Sequence, residues 1–398
     1  MRAPATRLSL RGRRLLWLTI AAGTLARLLV AILAGTDTED LASFAIVRDA
    51  LKDDALGFYS AVPDLRWPYP PGYLPAVAGF AGVASATGID FLHLLRLGPI
   101  ATDVGIALLV QHLLGMRGAS ERTRLAAAAL VALGPVFLGV AGYQGQIDSV
   151  AILPALAAFA VWERAGPSRA LHAGLLLGLG GSVKTVPLLL VLALLPSVRS
   201  PREAATLLAS AAAVPLALLA PFLATDPGAV WDHLTYRGFP GLGGLSLLVQ
   251  PDLPLFWQAG HDYAPNAVTE ALVDGGGVVV AAGLLATAVL LARTRPDPLG
   301  AATIVWLALW LLGVNFFIQY LVWGLPFLLA RGELRAAAAI QALAGPALLL
   351  LYVDVSSEPA IWAVYTVPML ALWALWAALL AQRVRRYAAA AMPGAKPA

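Results

Sequence analysis

Residues 15–40 read LLWLTIAAGTLARLLVAILAGTDTED. The stretch 15–34 is apolar but for two threonines and Arg27. About 20 such residues let an α-helix cross the roughly 30 Å hydrocarbon core of a bilayer. Three acids then follow almost at once: Asp37, Glu39 and Asp40. A membrane span needs no carboxylates at its mouth. A reaction run at a membrane surface has a use for one, because a fixed carboxylate takes a proton from a hydroxyl while a lipid substrate stays in the bilayer. A solvated helix end is the plainer reading of the same acids. Against it, Asp40 opens an amphipathic stretch with Phe44, Val47 and Leu51 at helical spacing. Asp40 is therefore expected at a helix N-terminus, where the dipole favours an ionised carboxylate.

The rest of the chain reads as an all-α polytopic membrane protein. Of its 398 residues 60% are hydrophobic and only 13% charged, against about 25% charged in soluble domains. The apolar runs are helix-length, whereas barrel strands would alternate. There is no cysteine, so disulfides, haem thioethers and Cys-zinc sites are excluded. The five histidines are scattered and form no paired metal-ligand spacing. The arginines before the first span are not followed by a small-residue cleavage motif, so a retained first helix is expected.

Twenty of the 27 Lys and Arg fall at the termini or in the short turns at 117–124, 164–169, 199–202, 293–295 and 331–335. Seven lie elsewhere: Arg27, Arg48, Lys52, Arg66, Arg96, Lys184 and Arg237. That asymmetry places both termini in the cytoplasm of an inner, plasma-type membrane. It makes the net charge of +4 a report on topology rather than on nucleic acid, which is not an expected partner.

Spans are expected at about 15–34, 97–116, 125–141, 150–162, 170–183 with 185–197, 204–223, 274–292, 300–317, 319–330, 336–352 and 360–381, some eleven to thirteen helices in one domain over 1–398. The apolar run 70–86 begins at Pro70-Pro71, which suits a helix start, and is read as a juxtamembrane or re-entrant helix within a first outer loop, 35–96. A second large outer loop runs over 224–273 and a short one over 142–149. The larger polar segments therefore share one face.

Candidate chemistry collects there. Tyr143-Gln144-Gly145-Gln146-Ile147-Asp148 joins two outer helix ends and offers donors and acceptors for sugar hydroxyls, or a simple polar turn. Lys184 sits in an apolar hairpin interrupted over Gly180-Gly181-Ser182-Val183-Lys184, and an intramembrane ammonium is costly and functional by default. It would pair with a phosphate or with Asp148, or snorkel to the interface. Arg48, Arg66 and Arg237 are the remaining outer cations considered, with His233 and His261 in the second loop, and Asn315, Gln319 and Tyr320 at the outer end of a late span. Asp103 and His112, inside a span, read as packing contacts.

With Asp40, Tyr69-Pro70-Pro71, Gln146-Ile147-Asp148, Lys184 with Pro187, and Gln-Tyr-Leu-Val-Trp at 319–323, the chain resembles the GT-C superfamily of polytopic glycosyltransferases. It looks most similar to the bacterial mannosyltransferase-like branch, glycosyltransferase family 87, and to GPI mannosyltransferase I. Asp40 and Phe44 match that family's second acid and its aromatic, and Asp49-Ala50 and Tyr59 follow in order. The first acid departs in spacing, since Asp37 and Asp40 stand three apart with Glu39 between. The resemblance implies a GT-C-type bundle, an outer-face site and inverting transfer of a sugar, mannose favoured, from a polyprenyl phosphate to a lipid-linked or glycan acceptor. Asp40 would be the base. Asp37, Glu39, Tyr69, Gln144, Gln146, Asp148, Lys184, Gln319, Tyr320 and the outer arginines and histidines would bind substrate. No cofactor is required, although Asp37, Glu39 and Asp148 could hold a divalent cation. A flippase for a polyprenyl-linked glycan and a membrane acyltransferase or glycan polymerase are the rival readings.

Overall fold

The computed structural model describes residues 8–390, apart from 37, 165, 237–239, 241, 256–263 and 351–356. Among these the chain is all-α, without a strand. It divides into two compact units, 1–191 with 198–236, and 192–197 with 237–398. Among the described residues six helices are long and apolar enough to cross a membrane, which makes this a membrane protein.

The first unit begins with α1, Leu10–Leu33, and α2, Glu39–Asp53. Then come α3, Leu74–Thr87, and α4, Phe91–Met116. Next are α5, Glu121–Gln144, α6, Asp148–Glu163, and α7, Arg169–Val183. It ends with α8, Pro201–Thr225, and the short α9, Pro227–Leu234. Many of the starts are set by side-chain caps. Ser9, Thr38, Asp90, Ser120, Ser200 and Asp226 each accept a hydrogen bond from a backbone N–H of the turn they open. At 14 residues α3 is about 21 Å long, too short for the bilayer core.

Small residues let these helices approach closely. A Cβ on Gly178 of α7 would lie 2.7 Å from the Ala211 carbonyl oxygen of α8, and one on Gly23 of α1 would collide with the backbone of Ala132 in α5. Buried charge inside the bundle is paired. Arg27 of α1 donates from Nε to Asp103 of α4 at 2.9 Å and from its terminal nitrogens to the Val131 and Ala132 carbonyls at 2.8 and 2.5 Å. Asp103 also accepts from Ser149. It is thus the packing contact the sequence suggested, with α6 tied in as well.

The break between the two short helices is as expected, and two local expectations change. Helix α7 runs through Gly180 and Gly181 to Val183, where the span 170–183 is expected to end. The break comes at Lys184, which is extended and leads into a 3-10 turn, Val186–Leu190, with Pro187 in its first positions. The polar stretch 142–149 is no exposed loop: α5 ends in a π turn, Leu138–Gln144, and residues 144–149 are buried. The second outer segment carries α9 and a short helix, Leu245–Val249, and the next long helix starts at Ala267, capped by Asn266, rather than at 274.

The second unit holds α10, Ala267–Thr294, α11, Pro298–Leu312, α12, Leu321–Ala330, α13, Leu334–Leu350, and α14, Glu358–Ala389. Its core is aromatic, with Trp306, Trp310, Phe327 and Trp376 buried. At one end Arg331 bridges Asp297 at 2.7 Å and Glu333 at 2.9 Å, and Glu333 also takes Arg383.

Candidate functional site

Thr38 fixes where α2 begins: its hydroxyl accepts from the Leu41 amide at 3.3 Å, so Glu39 and Asp40 stand in the first turn, as expected. Leu41, Phe44 and Val47 are buried along one face of the helix, and burying an apolar side chain of this size contributes about 1.5–3 kcal/mol. That face orients the turn carrying Asp40.

Arg96 connects this turn to the next polar segment. Fully buried in α4, it donates to the Ala31 and Gly35 carbonyls at 2.8 and 2.7 Å and to the Tyr143 carbonyl at 3.0 Å. One guanidinium thus ties the end of α1, just before Asp40, to the end of α5, just before Gln146. Gly145 turns the chain between them in the left-handed region, φ +66°, where a Cβ would lie 3.0 Å from both Arg96 Cγ and Leu41 Cδ2. Gln146 follows, and Asp148 is the first residue of α6. The signal for Arg96 was present in the sequence, an arginine within an apolar helix, but its three carbonyl partners are distant along the chain.

Asp40, Ser43, Phe44, Gln146 and residues 65–69 line a small pocket open to solvent. Asp40 is hydrogen-bonded by the Gln146 side chain, and its carboxyl pKa is pushed up to about 6. Displacement of water by the surrounding protein is the main cause. The Gln146 bond and the nearby Lys184 ammonium oppose that rise, and the Asp148 and Glu39 carboxylates add to it. Gln146 is buried, and its Oε1 has no protein partner among the described residues. Lys184 donates from Nζ to Asp148 Oδ1 at 2.9 Å and stands 4.6 Å from the centre of the Tyr69 ring. Asp148 is 0% and Lys184 3% exposed. Burial, then the Asp148 and Asp40 carboxylates and Tyr236, push the Tyr69 hydroxyl well above its ordinary range, so Tyr69 acts as a neutral phenol.

The opposite wall is aromatic. Trp67 meets Tyr69 edge-on at 5.3 Å and Phe44 at 5.9 Å. Arg66 at the rim donates to Glu39 Oε2 at 2.7 Å and to Ser43 Oγ at 3.4 Å. A carboxylate, an amide and a guanidinium beside an indole and a phenol around one small pocket can hydrogen-bond a hydroxyl group, with Asp40 placed to accept a proton from it.

Of the residues singled out in the sequence, Glu39, Asp40, Arg66, Tyr69, Gln146, Asp148 and Lys184 come together. Gln144 is buried at the end of the π turn, outside the pocket lining. Arg48 turns away: it grips Asp49 with two bonds, 2.8 and 3.0 Å, and lies 5.2 Å over the Phe91 ring. His233 is buried between two backbone carbonyls, also off the lining. Gln319 and Tyr320 belong to the second unit, where Tyr320 stacks on Trp323 at 4.0 Å and its carbonyl accepts from Trp310 at 3.1 Å. Asp37, Arg237 and His261 lie outside the described residues. Trp67 was not singled out, although the run Arg66-Trp67-Pro68-Tyr69 could have signalled an aromatic wall. No cluster of three or more His, Asp or Glu suited to a metal ion occurs among the described residues. Neither a family model nor a curated protein matches the chain.

Proposed function

We propose that this protein is a membrane glycosyltransferase of the GT-C type, inverting, which moves a sugar, mannose in the favoured case, from a polyprenyl phosphate to a hydroxyl of a lipid-linked or glycan acceptor. The observation that carries the reading is Asp40: a carboxylate at the wall of a small pocket, fixed by Gln146, with a proton affinity raised to about pH 6. A general base works best when its pKa approaches the working pH. Asp40 takes the proton of the acceptor hydroxyl. The acceptor oxygen attacks the anomeric carbon from one side, and the bond from that carbon to the phosphate oxygen breaks on the other. The polyprenyl phosphate leaves with the bonding electrons, and one displacement inverts the centre. Arg66 is the cation on the described lining that can neutralise the departing phosphate. The arginine asymmetry puts the pocket on the outer face, with both termini in the cytoplasm. The expected bundle of eleven to thirteen spans is part of the same proposal.

The test is direct. Purified full-length protein is incubated with radiolabelled polyprenyl-phosphate mannose and extracted envelope lipids, and labelled glycolipid is sought. Product from the wild type and a loss of about 10²–10⁴-fold in Asp40→Asn support the reading. Equal product from both, or none from the wild type with any polyprenyl-phosphate hexose, overturns it.

A further inference from the structure

Residues 65–69 supply most of the pocket lining, yet little regular structure holds them. The segment 57–70 contains one helical turn, Phe58–Ala61, and one 3-10 turn, Asp64–Arg66. Pro63, Pro68 and Pro70 remove backbone donors along it. Its placement comes from outside.

His233, in α9, reaches both ends of this segment. Its Nδ1 lies 2.8 Å from the Trp67 carbonyl oxygen and its Nε2 lies 2.9 Å from the Tyr59 carbonyl oxygen. The ring is 2% exposed and meets the Tyr59 ring edge-on at 4.9 Å. Carbonyl oxygens only accept, so each contact needs an N–H from the imidazole: a ring with one N–H holds one end and a ring with two holds both. Tyr59 passes the constraint on, since its hydroxyl donates to the Tyr69 carbonyl at 2.8 Å. Helix α9 is itself tied to the segment, because Asp226 caps it through the Ala229 amide and also accepts from Ser60 at 2.8 Å.

We propose that His233, carrying an N–H on both ring nitrogens, is the positioning residue of the pocket's aromatic wall, with Nδ1 setting the Trp67 end and Nε2 setting the Tyr59 end behind it. The inference rests on the glycosyltransferase reading only in what the pocket is for. The clasp stands on its own geometry. A histidine that merely fills the core would make the two nitrogens equivalent in their consequences. Here they are not, because Nδ1 holds a pocket residue directly, whereas Nε2 reaches one only through the Tyr59 side chain.

The two amide variants separate the nitrogens. The amide nitrogen of Asn reaches about where Nδ1 was, and that of Gln about where Nε2 was. His233→Asn therefore keeps a donor for Trp67, and His233→Gln keeps one for Tyr59. Hydrogen exchange is followed by mass spectrometry across 57–69 in the full chain in detergent, alongside melting temperature and turnover of polyprenyl-phosphate mannose. In His233→Gln, exchange over 64–69 is expected to speed up about tenfold, the effect of one lost hydrogen bond, with KM raised by a similar factor and kcat nearly held. In His233→Asn the faster exchange is expected over 57–62, with KM near the wild-type value. If one amide variant does not fold, Tyr59→Phe takes its place: it removes only the bond to Tyr69 and should loosen 64–69 with little change in melting. Indistinguishable exchange in the two amide variants, or exchange that merely follows melting temperature, overturns the proposal. A wild type that turns over no polyprenyl-phosphate sugar while the exchange pattern splits as described leaves the clasp standing and removes the glycosyl-transfer reading.

Discussion

Lys184 Nζ lies 2.9 Å from Asp148 Oδ1, and the chain between the two residues spans one helix, α6, a turn and another helix, α7. The ammonium also stands over the Tyr69 ring and acts on Asp40. A single cation thus serves two carboxylates and an aromatic face. The sequence left open whether Lys184 meets a phosphate or Asp148. Its partner in the structure is Asp148, and Arg66 is the cation on the described pocket lining.

Removing one member of this pair should be worse than removing both. Lys184→Met strands a buried carboxylate, which typically costs about 3–5 kcal/mol. Lys184→Met with Asp148→Leu removes both charges and should recover most of that loss. Thermal melting of the two variants against wild type in one detergent decides the matter, and a single variant as stable as the double would show that the pair is not buried as described.

Asp40 should make the protein less stable as pH rises. Its folded pKa, about 6, exceeds the unfolded reference of 3.8, so the folded state holds the proton more tightly. The stabilisation from that proton is present below pH 4 and is lost as pH climbs through 6. Above that, ionised Asp40 opposes folding by on the order of 1–3 kcal/mol. Asn resembles the protonated acid, so Asp40→Asn should melt higher than wild type at pH 8 and the gap should close toward pH 4. Equal gaps at both pH values would show that burial does not perturb this carboxyl.

Turnover should show the complementary dependence. Only ionised Asp40 can accept a proton, so activity rises with pH through an acid limb centred near 6. The Lys184 charge lowers that value, so Lys184→Met should move the limb upward. A limb that stays in place, measured on protein verified as folded, would disconnect Lys184 from the base.

What could be read in the chain and what could not divide along one line. Three acids after an apolar span, the helical spacing of Phe44, Val47 and Leu51, and Lys184 close to Pro187 are local signals, and they placed Asp40 at a helix start and Lys184 at a break. Arg96, Trp67 and His233 work through backbone carbonyls far away in sequence, for which no periodicity exists. The turn at 142–149 misled for a physical reason: Gln144, Gln146 and Asp148 are polar, and polar residues between two spans suggest a solvated loop. They are buried because a π turn, a left-handed glycine and the Arg96 staple fold them inward. The start of α10 was set too late because the cap Asn266 precedes an uneven hydrophobic pattern.

Gly145 offers the last test, and Gly88 is its control. Both have positive φ, +66° and +73°, but a Cβ on Gly88 meets nothing within 4 Å. Gly88→Ala should therefore cost only the backbone term, about 1–2 kcal/mol. On Gly145 the same methyl lies 3.0 Å from Arg96 Cγ and Leu41 Cδ2. Neither yields easily: Arg96 is held by three carbonyls and Leu41 is fully buried. Gly145→Ala should lose roughly a further 1–3 kcal/mol, the range for overpacking. The strain falls on the peptide before Gln146, whose side chain holds Asp40, so turnover should drop more than it does in a Gly88 variant. Melting and turnover of the two alanine variants are the measurements. A Gly145→Ala protein that melts with Gly88→Ala and keeps wild-type turnover would mean that the Gln146 turn does not depend on this close approach.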